Sequence, residues 1–151
     1  MSDESYPFIE RVLEHWRARR VPYLPGVAKE QLQTFEREKN LRLPVELRAF
    51  YLATNGVRVP GTMEVDDKNY DFWPLEKLQV VEGEPSKLYF ADFQQSTWTF
   101  AIELEGNETA NPGAVYVADA RFIPIADSFA EFMNLYIADD PLIYPITWKA
   151  Q

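Results

Sequence analysis

The chain has no cysteine and a single histidine, and each absence removes chemistry. Without thiols there is no disulfide, iron–sulfur cluster, thiolate zinc site or cysteine nucleophile. With only His15, a histidine-rich metal site cannot be assembled, and any nucleophile–base pair using imidazole must use this one. Its place at the flank of an apolar helical stripe reads as a structural or surface imidazole. Glycine is also scarce: the six residues at 26, 56, 61, 83, 106 and 113 stand apart. Neither a P-loop nor a dinucleotide fingerprint can be written, so no nucleotide cofactor is expected. No segment approaches the roughly 18 consecutive apolar residues of a membrane span, and Met1-Ser2-Asp3-Glu4-Ser5 leads into no apolar signal region. The expected compartment is the cytoplasm, where the Asn107-Glu108-Thr109 sequon is only a polar loop.

Positive charge is the other shortage. Fifteen Lys and Arg face 24 Asp and Glu, a formal net charge of −9, which argues against a nucleic-acid binder because that task needs a basic face. The deficit is uneven. Residues 1–60 carry ten basic and eight acidic side chains, whereas residues 61–151 carry five and sixteen. The second half therefore presents an acidic field that speeds encounter with basic partners, although solubility alone would also account for it.

What is present is a foldable single domain. A chain of 151 residues with 46% hydrophobic residues, including ten Phe, eight Tyr and four Trp, can bury one substantial core. Ile9, Val12, Leu13 and Trp16 recur at helical spacing, predicting an N-terminal helix over residues 6–19 with Ser5 as cap. A second helix is predicted with Ala28, Leu32 and Phe35 inward. A third opens at Pro44, turns Leu47, Phe50 and Tyr51 inward, and stops at Asn55-Gly56.

After Gly56 the hydrophobic period changes from 3.6 to 2. Tyr89 to Phe93 is a short aromatic run. From 98 to 105, Trp98, Phe100, Ile102 and Leu104 share a core face, while Thr99, Ala101, Glu103 and Glu105 face water. Residues 114–118 and 122–126 read as two more strands, with weaker candidates at 62–65 and 79–82, and residues 66–71 as a loop. Ser128 and Glu131 form a capping-box pattern ahead of Phe129, Phe132, Met133 and Tyr136. The helix they open should end near Asp139-Asp140-Pro141, and residues 142–148 form an apolar tail expected to pack on the domain, the alternative being a free partner-binding peptide. Helices followed by strands predict an α+β domain: an antiparallel sheet of five to six strands with helices on one face, at the N-terminus and C-terminus.

Carboxylates are the abundant reactive groups. Glu64, Asp66, Asp67 and Asp71 crowd one segment, but their spacing does not match a calcium loop, so no metal is expected. Glu103 and Glu105 could serve a glycosidase, yet nothing flanking them would keep one protonated. Trp73 and Trp98 could stack on a sugar, but aromatic residues at strand positions are usually core.

The stretch from Leu41 to Gly56, with its Leu43-Pro44 opening, inward Phe50-Tyr51 and Asn55-Gly56 stop, resembles the helix that marks the SUKH superfamily of Smi/Knr-type domains. Three further pieces match in order: Phe72-Trp73-Pro74-Leu75, Tyr89-Phe90-Ala91-Asp92-Phe93 before the Trp98 strand, and Ile125 to Phe132. Together they cover about residues 27–140 of the single domain 1–151. Gln94-Gln95 departs from the glycine often found after Asp92-Phe93. The resemblance implies a non-enzymatic α+β domain without cofactor, of a kind that includes immunity proteins neutralising a cognate toxin and fungal regulators of the cell wall. Leu43, Pro44, Phe50, Tyr51, Asn55, Gly56, Trp73 and Asp92 are then structural. Charge placement, not the family motif, nominates Glu64, Asp66, Asp67, Tyr70, Asp71, Glu103 and Glu105 as the surface that meets a basic toxin domain. A regulatory or scaffold domain is the alternative, and a carboxylate-based enzyme or small-molecule binder a further one.

Overall fold

The computed structural model describes residues 6–57, 70–93, 98–105, 111–140 and 143. Three helices come first: α1 (Pro7–Ala18), α2 (Lys29–Lys39) and α3 (Val45–Ala53). Then come β1 (Tyr70–Phe72), a 3₁₀ turn (Leu75–Lys77), β2 (Gln79–Val81), β3 (Glu84–Phe93), β4 (Trp98–Glu103), β5 (Val115–Asp119), β6 (Arg121–Ala126) and α4 (Phe129–Ala138). All strand pairs are antiparallel. β3 to β6 form a meander in chain order, and the short β1 and β2 both pair with the long β3 along its other edge. This is the predicted α+β domain with a six-stranded sheet.

The helices cover one face. Val12, Trp16, Leu47, Phe50, Phe129, Phe132, Met133 and Tyr136 are buried against Tyr70, Phe72, Leu88, Phe90, Phe100, Ile102, Val115 and Val117 of the sheet. Each large apolar side chain fully removed from water contributes about 1.5–3 kcal/mol, so this layer is what holds α1 and α4 on the sheet. The rings meet edge to face, as between Phe50 and Phe129 and between Tyr136 and Phe72, which suits the aromatic quadrupole. Trp16 Nε1 donates to the Tyr136 hydroxyl at 2.8 Å, satisfying a buried donor between α1 and α4.

Several local expectations need correction. Ser5 lies outside the described residues, and the N-cap of α1 is Tyr6, which makes no side-chain capping bond. Ala28 is the exposed N-cap of α2 rather than a core residue. Pro44 is likewise the N-cap of α3, one place ahead of the first turn. The glycine stop is displaced too. α3 ends at Thr54, which turns extended and bridges Pro25, and Gly56 serves the next bend instead. There φ is +93°, and an added Cβ would lie 2.2 Å from the Phe72 carbonyl oxygen. Residues 70–71, expected in a loop, belong to β1 because β3 extends far enough to pair with them. Tyr89–Phe93 is only the C-terminal half of that ten-residue strand. The candidate strand at 62–65 and all of the 142–148 tail except the buried Ile143 lie outside the described residues.

Candidate partner-binding surface

The nominated surface residues separate once folded. Glu64, Asp66 and Asp67 lie outside the described residues. Tyr70 and Asp71, in β1, are 1% and 3% exposed, so the expectation that they present a solvent surface is corrected. Tyr70 packs in the core against Phe93 and Tyr136. Asp71 pairs in register with Asp92 of β3, with Lys77 Nζ 3.7 Å from its Oδ2. Glu103 is 0% exposed and is corrected likewise; of the nominated residues within the described chain, only Glu105 is exposed.

The residues read as structural do converge. Leu43, Phe50 and Tyr51 are buried. The Tyr51 hydroxyl donates to the Trp73 carbonyl oxygen at 2.6 Å, and Asn55 Oδ1 accepts from the Leu75 N–H at 2.7 Å. Trp73 Nε1 donates to Asp92 Oδ2 at 2.7 Å. Together these bonds tie the end of α3 to the connector after β1 and thence to β3. Burial, with the Glu76 and Asp71 charges adding to it, pushes the Tyr51 phenol far above its ordinary range. Glu36 escaped the sequence reading: its carboxylate accepts from the Leu43 N–H and from Arg48, both at 2.8 Å, clamping α2 to the entry of α3. Nothing in a single exposed-looking glutamate signals that role.

The sheet face opposite the helices is the least ordinary surface. An antiparallel sheet normally turns polar side chains outward. Here Tyr89 of β3 stacks on Phe122 of β6 at 6.2 Å between ring centroids, and Phe122 meets Tyr116 of β5 edge to face at 6.2 Å. Tyr89, Ala101 and Tyr116 are register neighbours, so the methyl group of Ala101 leaves room for a ring on either side. That is why Ala101 is fully buried on a face predicted to be wet. Tyr89 and Phe122 remain half-buried.

Within this plate sits an ion pair. Lys87 Nζ lies 2.9 Å from Glu84 Oε1 and 3.7 Å from Glu103 Oε1, and 4.9 Å and 5.5 Å from the ring centroids of Tyr116 and Phe122. The Tyr116 hydroxyl donates to Glu103 Oε1 at 3.1 Å, while Glu103 Oε2 is buried with no hydrogen-bond partner. Burial works to lower the Lys87 ammonium, but the Glu84 hydrogen bond and the Glu103 and Glu84 charges outweigh it, and the result is raised. Burial and Glu103 together raise the Tyr116 phenol. Glu82 and Glu84 at the β2–β3 turn and Glu105 just past β4 are exposed, and Glu84 reaches the plate through Lys87. Sequence reading missed Lys87, Tyr89, Tyr116 and Phe122; the available signal was aromatic residues recurring out of phase with the core positions of β3 and β5.

Two depressions lie elsewhere. A shallow groove of about 390 Å³ runs between α2 and the 3₁₀ turn, with Phe35 and Leu75 below and Glu30, Glu38 and Glu76 around it. A broader one of about 980 Å³ opens between the α2–α3 connection and the ends of β4 and β5, lined by Arg42, Pro44, Val45, Leu104 and Pro112 among others. Among the described residues, no three His, Asp or Glu gather as metal ligands.

The domain is thus α+β, with the residues around the end of α3 holding it together and aromatic rings on its outer sheet face. The model of the SMI1/KNR4 family (SUKH-1) matches residues 26–135, well over half of the chain, and the protein belongs to that family. Domains of this family are in general protein-interaction modules. No curated protein matches the chain closely enough to add to this.

Proposed function

We propose that this protein is an immunity-type module that binds a basic toxin domain and neutralises it, without catalysing a reaction. The observation that carries this reading is the outer sheet face, where the half-buried rings of Tyr89 and Phe122 stand where an ordinary sheet face would be polar, on a domain whose Glu82, Glu84 and Glu105 are exposed at strand ends of the same sheet. Rings of this kind supply affinity at interface centres, and exposed carboxylates supply encounter rate toward a basic partner. Family membership is consistent with this. Neutralisation follows if the domain occupies the toxin's basic cleft and so excludes its substrate.

The test is affinity capture from the source cells at low and moderate salt, followed by expression of the captured basic protein in a heterologous host. The expected outcome is one stoichiometric partner released by salt, toxic alone and harmless when co-expressed with this chain. The triple reversal Glu82→Lys, Glu84→Lys, Glu105→Lys should weaken the complex at least tenfold and flatten its salt dependence. A stable partner that shows no toxicity would replace this reading with a regulatory scaffold role.

A further inference from the structure

We propose that Glu84, Glu103, Tyr116 and Phe122 form a cation seat for an arginine side chain of the partner, and that Lys87 is its resident occupant in the free protein. The inference rests on the partner-binding reading above and gives it a chemical anchor.

Three observations carry it. First, the seat already holds a cation: the Lys87 ammonium is 2.9 Å from one carboxylate, 3.7 Å from another and within 5.5 Å of two ring centroids. Such a carboxylate–aromatic arrangement attracts Arg and Lys alike, but a planar guanidinium also stacks on rings and reaches two oxygens at once. Second, the resident uses the seat incompletely. Glu103 Oε1 takes the Tyr116 hydroxyl and the Lys87 charge, while Oε2 stays buried and unbonded. Leaving a buried carboxylate oxygen unpaired is costly, and the Lys87 ammonium, 3.7 Å from Oε1, cannot hydrogen-bond either oxygen of Glu103 from where it sits. A guanidinium fork can. Third, Lys87 has somewhere to go. Glu84 is exposed and its carboxylate has two oxygens, so the lysine can keep one while its head swings toward water and leaves the other to the guanidinium. Half-buried Tyr89, stacked on Phe122, extends the ring surface over which an incoming guanidinium would slide.

The alternative is that Lys87 and Glu103 are only a buried structural pair. The two readings predict opposite signs for one variant. Removing the lysine from a purely structural pair damages the fold and creates no binding. Removing it from an occupied seat frees the carboxylate for a guanidinium from outside.

The experiment is a titration of the ¹⁵N-labelled full chain with N-acetyl-arginine amide, with N-acetyl-lysine amide as comparison, followed by heteronuclear NMR. In the native protein, saturable shifts are expected at the amides of Lys87, Tyr89, Ala101, Glu103 and Tyr116, larger for arginine than for lysine. Lys87→Met should tighten arginine binding at least fivefold and raise the melting temperature in its presence, because a ligand that binds only the folded state stabilises it. Glu103→Gln should abolish saturation. Phe122→Leu, at a half-buried position that keeps its apolar contact, should weaken binding severalfold and guards against a Lys87→Met variant that fails to fold. Shifts confined to the groove of Glu30, Glu38 and Glu76, or a folded Lys87→Met with no gain in arginine binding, would overturn the seat. Neither result touches the toxin test above. If the toxin is neutralised while the seat is silent, the anchor is wrong and the function stands; an arginine seat without any toxin leaves the anchor and removes the function.

Discussion

At the scale of single residues, a few side chains hold junctions that no periodicity reveals. Gly56 is one. Its φ of +93° and the 2.2 Å approach of the Phe72 carbonyl to a hypothetical Cβ mean that any side chain both strains the backbone and collides with the strand that α3 leans on. Gly56→Ala should therefore lower stability by more than about 2 kcal/mol, the upper part of the range for forcing a non-glycine residue into left-handed space. Equilibrium urea unfolding checks this: the midpoint falls at an unchanged slope. Gly83, also at positive φ but with nothing within 4 Å, carries only the conformational part of that penalty. Asn55 and Gly56 were legible as a stop signal; that they secure β1 rather than cap α3 was not, because the partner atoms lie about twenty residues away.

At the scale of elements, the helices kept their predicted apolar faces, but only α4 took the predicted cap, and the strands followed alternation without following its burial. α4 begins as Ser128 and Glu131 predict. Ser128 Oγ accepts from the Glu131 N–H at 3.0 Å, and Glu131 Oε1 accepts from the Asp127 N–H at 2.6 Å. Glu46 of α3 adds a bond from the Ala130 N–H at 2.9 Å, so side chains meet two of the orphan donors of this end, and Glu131 ties down the residue before the cap. Ser128→Ala should cost about 1 kcal/mol and fray the first turn of α4. Thermal unfolding and amide exchange at Ala130 and Glu131 read both effects. Strand β4 kept its predicted alternation, and its outer positions still became buried at Ala101 and Glu103. Alternation reports which face a side chain takes, but not what neighbouring strands place over it; Tyr89 and Tyr116 come from β3 and β5.

At the scale of the molecule, protonation ties outer face and core together. The folded protein raises the Tyr51 and Tyr116 phenols above the ordinary value of 10.0, and the Lys87 ammonium above 10.5. Each group therefore holds its proton more tightly folded than unfolded. Their contribution is complete below about pH 10, where both states are protonated, and is lost as pH climbs through the folded values while the unfolded chain releases protons. Stability should thus show no loss from these groups between neutral pH and about pH 10, then fall. Urea midpoints at neutral and at alkaline pH measure the fall, and Tyr51→Phe, which lacks one of these protons, should fall less steeply. Absorbance near the tyrosinate band should show the Tyr51 phenol ionising only as the chain unfolds.

The sequence by itself determined the composition-level exclusions, the α+β order and the helix faces, because these rest on local periodicity, capping and turn chemistry. Its assignment of Glu103 to water and of residues 70–71 to a loop failed for one reason. Burial on the outer face depends on which strands lie side by side and in what register, and pairing of β1, β4 and β5 is a property of the assembled sheet. The same assembly decided where Lys87 would find its two carboxylates and two rings, since β3, β4, β5 and β6 bring them together from positions up to 38 residues apart in the chain.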